Sequence, residues 1–208
     1  MKKLLGRAFL KAIGWKADGD VPDVPKAVVI AAPHTSNWDG PIMIAVAWTL
    51  GIRLHFMGKH TLFKPPFGRI VKAFGGIPID RRAAHGVVGE MRERFRGAEH
   101  LWVAVPPEGT RGQVEYWKSG FYAIAYGADV PILLGFLDYG NKVGGLGPAV
   151  RATGNPRADM DRIREFYEGM EGKHPKEQGP MRLRAEEDNI WPPLAEVASG
   201  DGKPDQAA

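Results

Sequence analysis

The run from Lys26 to Leu50, KAVVIAAPHTSNWDGPIMIAVAWTL, constrains the fold of this chain more than any other stretch. Ala27 to Ala32 is short, uncharged and partly β-branched, the composition of a strand buried on both faces. Pro33 ends it. From Gly40 the apolar residues Ile42, Ile44, Ala45, Val46, Trp48 and Leu50 run on for about three turns, and Pro41 is tolerated only where the helix begins just before it. A doubly buried strand handing over to a helix points to an α/β fold: a mixed, largely parallel sheet flanked by helices. His34 then lies at the carboxyl end of the strand and Asp39 at the amino end of the helix. In open α/β sheets that edge is where ligands bind.

Each of the two residues has an ordinary role open to it. Asp39 can cap the helix by accepting N–H bonds from its first turn, and His34 can be a loop histidine bonded to a nearby carbonyl. Together they can do more. A carboxylate that accepts the Nδ1–H of an imidazole fixes its tautomer and leaves Nε2 free to take a proton from a hydroxyl.

Three later blocks follow this His-Thr-Ser-Asn-Trp-Asp box at 34–39: Gly-Gly-Ile-Pro-Ile-Asp-Arg at 75–81, Pro-Glu-Gly-Thr-Arg at 107–111 and Val-Pro-Ile at 130–132. In that order they resemble the glycerolipid acyltransferase family, that of the 1-acylglycerol-3-phosphate acyltransferases, marked by a His-x4-Asp box. The resemblance covers about residues 26–137. Pro33 stands where many members have asparagine, Pro106 replaces the usual phenylalanine and Gly112 a common serine; none of these removes a charged position. The resemblance implies a single glycerol-3-phosphate acyltransferase-like domain and transfer of a fatty acyl group from acyl-CoA or acyl carrier protein, as co-substrate and without a cofactor or metal. The acceptor it implies is a lysophospholipid hydroxyl, foremost a 1-acylglycerol-3-phosphate, with another lyso-lipid or polar acceptor as the alternative. His34 is then the general base and Asp39 its orienting partner. Arg81 and the turn Glu108, Gly109, Thr110, Arg111 become the substrate-binding residues, the guanidinium groups suiting two phosphate oxygens at once. Glu108 is expected to hold the turn or an arginine in place. Lys59, at the end of the next strand, either faces the site or is a solvated strand-end lysine.

At 208 residues the chain makes one sizeable domain. The absence of cysteine removes thiolate catalysis, and no serine stands in a G-x-S-x-G elbow, so no acyl-enzyme is expected. A net charge of +4 favours anionic partners, among which a membrane surface is expected and nucleic acid is not. No apolar run approaches the ~18–20 residues of a membrane span. Residues 1–17 read as an amphipathic basic helix at the membrane interface, with Leu4, Leu5, Ala8, Phe9, Ala12 and Ile13 on one face and Lys3, Arg7 and Lys11 on the other. It docks either on the bilayer, with Phe9 and Trp15 as wedges, or on the domain. The expected location is cytoplasmic and peripheral, on the inner face of the membrane. Residues 18–172 form the acyltransferase domain and 173–208 a polar tail with a disordered end.

Further elements are expected as strands at 53–57, 76–80, 101–105, 130–137 and 150–153, and as helices from Phe67, at 85–99, 116–128 and 158–170. Pro131 marks either an edge strand or the start of one. Phe63 and the helix from Phe67 either line an acyl-chain groove or pack in the core. Gly140 to Pro148 reads as a glycine-rich loop with no nucleotide-binding signature. Two other functional classes are open: a metal-dependent phosphoesterase using His34, Asp39 and Asp80, and a non-catalytic membrane-binding domain.

Overall fold

The computed structural model describes residues 1–79 and 86–188. Its strands are β1 (Lys16–Asp18), β2 (Lys26–Ala32), β3 (Leu54–Lys59), β4 (Gly76–Ile79), β5 (Leu101–Val105), β6 (Ile132–Asp138) and β7 (Val143–Val150). The helices are α1 (Lys2–Ala12), α2 (Asp39–Leu50), α3 (Gly68–Ala73), α4 (Gly86–Gly97), α5 (Gly120–Ala128), α6 (Pro156–Tyr167) and α7 (Ala185–Asp188). The strands form one seven-stranded sheet in the order β1-β7-β6-β2-β5-β3-β4. Every pairing is parallel except β6 with β7. The expected mixed, largely parallel sheet flanked by helices is therefore the observed fold.

β2 lies at the centre, between β5 and β6, which explains its uncharged composition: both faces are covered. Val28, Ile30 and Ala32 point into the main core with Met91 and Phe95 of α4, Phe121 of α5 and Met160 of α6. Ala27 and Val29 point the other way, towards Trp102 and Leu133. On that second side α1 packs across α2, where Leu10 meets Ile42, Ala45 and Val46. The carboxyl ends of β2, β3, β4 and β5 all reach one edge because these strands run parallel, so the segments after β2, β3 and β5 converge there.

Several expectations are corrected. Gly140 to Pro148 is largely strand, not loop: β7 pairs antiparallel with β6 and parallel with β1, and the strand proposed at 150–153 is only its end. Its glycines exist for close approach. A Cβ on Gly145 would lie 1.9 Å from the Asp18 carbonyl oxygen, and one on Gly147 2.1 Å from the Phe166 ring. Gly145→Ala is expected to lower stability by about 1–3 kcal/mol through this backbone clash, read as a lower denaturant midpoint. Pro131 precedes the interior strand β6 and so marks a start, not an edge; its carbonyl accepts the Val28 N–H at 3.0 Å. The fifth helix begins at Gly120 rather than Tyr116, since Trp117 forms a bridge with Leu183.

The amino-terminal helix docks on the domain through Gly6 and Leu10, with Phe9 and Ile13 of the apolar stripe packed beside them, and leaves Leu4 and Leu5 outside. Gly6 permits this because any Cβ there would come 2.6 Å from the Ala45 carbonyl oxygen. Trp15 is buried edge-on against Tyr139, ring centroids 4.7 Å apart, and so is no membrane wedge. Packing also continues past residue 172: Leu183 is fully buried and Glu186 accepts from Arg164 at 2.8 Å. The carboxyl-terminal end expected to be disordered lies outside the described residues.

Candidate active site

The turn after β2 folds back on itself around one carboxylate. Asp39 Oδ2 lies 3.0 Å from His34 Nδ1 and accepts the backbone N–H groups of Thr35 at 3.0 Å and Ser36 at 2.9 Å. The Tyr139 hydroxyl donates to Oδ1 at 2.6 Å. Asp39 is therefore not the helix cap: Trp38 occupies that position, and the carboxylate reaches back over the preceding loop. Burial alone would raise the Asp39 pKa, but the hydrogen bonds from His34, Tyr139 and Ser36 outweigh it and hold the carboxyl below its usual range. An ionised acceptor at this place requires the hydrogen on Nδ1, so in the neutral imidazole the lone pair lies on Nε2.

The turn after β5 closes on the same loop. Glu108 is buried, and its Oε1 accepts the backbone N–H of His34 at 3.0 Å. Burial raises its pKa, and these hydrogen bonds only partly counter it; Oε2 has no hydrogen-bond partner. Glu108 thus ties one motif to the other through the His34 backbone. Gly109 takes φ +67°, a conformation that favours glycine, and the stem of Lys118 lies across it. Thr110 and Arg111 follow on the exposed side of the turn. Lys59 ends β3 at this edge. Arg81 and Asp80 lie outside the described residues.

The comparisons with known proteins bear on this arrangement. The Acyltransferase family model matches residues 19–133, more than half of the chain and the whole stretch from the loop before β2 into β6. The chain belongs to the Acyltransferase family. Among solved structures, this acyltransferase is similar to the 1-acyl-sn-glycerophosphate (LPA) acyltransferase PlsC from Thermotoga maritima. That match has 18% sequence identity and a TM-score of 0.57 over 79% of this chain and 74% of the other. It is a likeness of fold. No curated protein matches the sequence.

Beneath the dyad the acyltransferase holds an apolar cavity of about 230 Å³ between α2 and the sheet, running from His34 and Asp39 past Met43 and Ala47 to Ile52 and Leu54. Its walls come from the same alternation that builds the core: the residues of β2 and β5 that do not face α4 and α5 face this space. Phe67, Ile70 and Phe74, proposed for a groove or for the core, belong to neither; they are exposed on the surface.

Tyr139 escaped the sequence reading because it belongs to none of the four blocks. Its one signal is position, directly after β6, which neighbours β2. Burial, and then the Asp39 carboxylate it faces, raise its pKa far above that of an ordinary phenol, so it acts as a neutral donor. A second contact was also hidden: the His174 backbone N–H donates to Thr35 Oγ1 at 3.1 Å, bringing the segment after α6 onto the dyad loop.

Proposed function

We propose that the protein transfers a fatty acyl group from acyl-CoA or acyl carrier protein to the hydroxyl of a lysophospholipid, foremost a 1-acylglycerol-3-phosphate, at a membrane surface. The observation that carries this reading is the His34–Asp39 dyad on the wall of an apolar cavity. His34 Nε2 takes the proton of the acceptor hydroxyl as its oxygen attacks the thioester carbonyl; Asp39 steadies the imidazolium formed. The tetrahedral intermediate collapses, the carbon–sulfur bond breaks, and the imidazolium returns the proton to the leaving thiolate. The base is restored and no acyl-enzyme forms. The acyl chain fits the cavity because both are apolar, and Arg111, with Arg81, serves the acceptor phosphate.

The phosphoesterase reading is weaker on physical grounds. Asp39 already receives hydrogen bonds from His34, Thr35, Ser36 and Tyr139, which leaves it little capacity to ligate a metal. The proposal is tested by supplying each thioester with lysophosphatidic acid and identifying the lipid product by mass spectrometry. Phosphatidic acid supports it. Unchanged lysophosphatidic acid with both donors contradicts it.

Tyr139→Phe is expected to lower kcat by about ten-fold, the worth of one hydrogen bond to a charged group at the lower end of its range. The ring still packs on Trp15. Without the phenol donor the carboxylate attracts the imidazolium proton more strongly, so the acidic limb of the kcat/KM profile, which reports the dyad, moves to higher pH. A role confined to packing would leave that limb in place.

A further inference from the structure

The charges of this chain are segregated along its sequence. Residues 1–17 and 40–79 together hold ten lysines and arginines and no acidic residue, while the rest of the chain holds 18 basic and 24 acidic residues. The fold gathers much of this basic set on one side. Lys2, Lys3 and Arg7 on α1, and Lys64, Arg69 and Lys72 on and beside α3, are all exposed.

The same elements carry the exposed apolar surface. Leu4 and Leu5 on α1 are 70% and 54% exposed; Leu62, Phe67, Ile70 and Phe74 on and around α3 are 54%, 65%, 53% and 39% exposed. Among the described residues, the only other large apolar side chains left so open are Met1, at the start of the same helix, and Val21 and Trp38 elsewhere. The patches of α1 and α3 are joined by the end of α2. Trp48 stacks on Phe74, centroids 5.5 Å apart and planes 15° from parallel, and Lys2 Nζ stands 5.7 Å from the Trp48 centroid.

We propose that the outer surface of α1, α2 and α3 is a docking face for an anionic lipid bilayer, with Phe67 and Ile70 of the α3 segment as its principal apolar anchors. Aromatic and aliphatic side chains ringed by lysine and arginine, with no carboxylate among them, match the interface of an anionic bilayer in both polarity and charge. A bilayer also suits a face spread over three helices, since it asks for no shape-complementary partner. The apolar cavity lies between α2 and the sheet, on the inner side of the helix that joins the two patches. This deepens the reading of the protein as an enzyme of membrane lipids and rests on it for its purpose, although vesicle binding itself needs no catalysis.

The test is co-sedimentation of the full chain with phosphatidylcholine vesicles, with and without phosphatidylglycerol. Wild type is expected to bind the phosphatidylglycerol vesicles, more weakly as salt rises. Phe67→Ser with Ile70→Ser is expected to weaken that binding about ten-fold or more, with no change in turnover of a soluble short-chain donor and acceptor. Arg69→Glu with Lys72→Glu is expected to weaken it as well, while the charge-matched control Arg94→Glu with Arg96→Glu, on α4 across the sheet, leaves it intact. His34→Ala is expected to bind as wild type, so a wrong catalytic reading would not disturb this result. Equal binding by wild type and the Phe67/Ile70 pair would overturn the proposal, as would equal weakening by the α4 control. So would a wild type that ignores vesicles yet binds an acidic carrier protein through Phe67 and Ile70.

Discussion

Replacement of His34 by alanine is expected to lower acceptor-dependent acyl transfer by ~10²–10⁴-fold with the fold intact. The imidazole is 22% exposed and fills no core space, and the bond that anchors its residue runs from the backbone N–H to Glu108, which alanine keeps. Asp39→Asn is expected to be nearly as damaging, about 10²-fold or more. An asparagine can turn its carbonyl towards His34, Thr35 and Ser36 and its amide towards the Tyr139 oxygen, which preserves the tautomer but removes the charge that steadies the imidazolium. In the other orientation its amide opposes three donors. Either way the loss should be in kcat, measured as thioester consumption at saturating acceptor. Stability follows with a defined sign. The folded-state pKa of Asp39 is depressed, so its contribution is present above the unfolded carboxylate value and is lost as pH falls through the folded one. The Tm gap between wild type and Asp39→Asn should therefore narrow as the solution is acidified.

The second large effect concerns Arg111. It stands on the exposed side of the turn whose Glu108 grips the His34 backbone, and among the described residues it has no carboxylate partner. A phosphate held there gains a planar fork of donors. Arg111→Ala is expected to lower kcat/KM for lysophosphatidic acid by about ten- to hundred-fold, the range for losing hydrogen bonds to a charged group. Arg111→Lys should keep part of the activity, because it retains the charge and loses the two-pronged geometry. If the contact serves binding, the loss lies in KM. The matched monoacylglycerol, which lacks the phosphate, should be a poor acceptor whose rate is barely altered by either substitution. Equal use of both acceptors, with a ratio that neither substitution moves, would assign the acceptor to another lipid class.

What the sequence made legible follows from how local each signal is. The strand β2 and the helix α2 announce themselves because a doubly buried strand must be uncharged and because Pro41 fixes where a helix can begin. His34, Asp39 and the turn at Glu108 were legible as motifs. Their hydrogen bonds were not, since whether Asp39 caps its helix or reaches back to Thr35 and Ser36 depends on loop geometry that composition does not encode. β7 was misread because its glycines at 144, 145 and 147 look like loop residues. They are small because Val46, the Asp18 backbone and Phe166 press against them, a property of distant neighbours. Tyr139 was invisible for the same reason: it lies 100 residues from the carboxylate it bonds. The surface of α3 was misassigned because an apolar helix face reads alike whether it meets a core, a ligand or a lipid.

The most direct measurement of the central claim is release of the donor thiol as acceptor concentration is raised. The account expects thiol release to saturate with lysophosphatidic acid, to match acylated product one for one, and to fall by ~10²–10⁴-fold in His34→Ala. Thiol release that proceeds without acceptor, with free fatty acid as product and no change in His34→Ala, would contradict it.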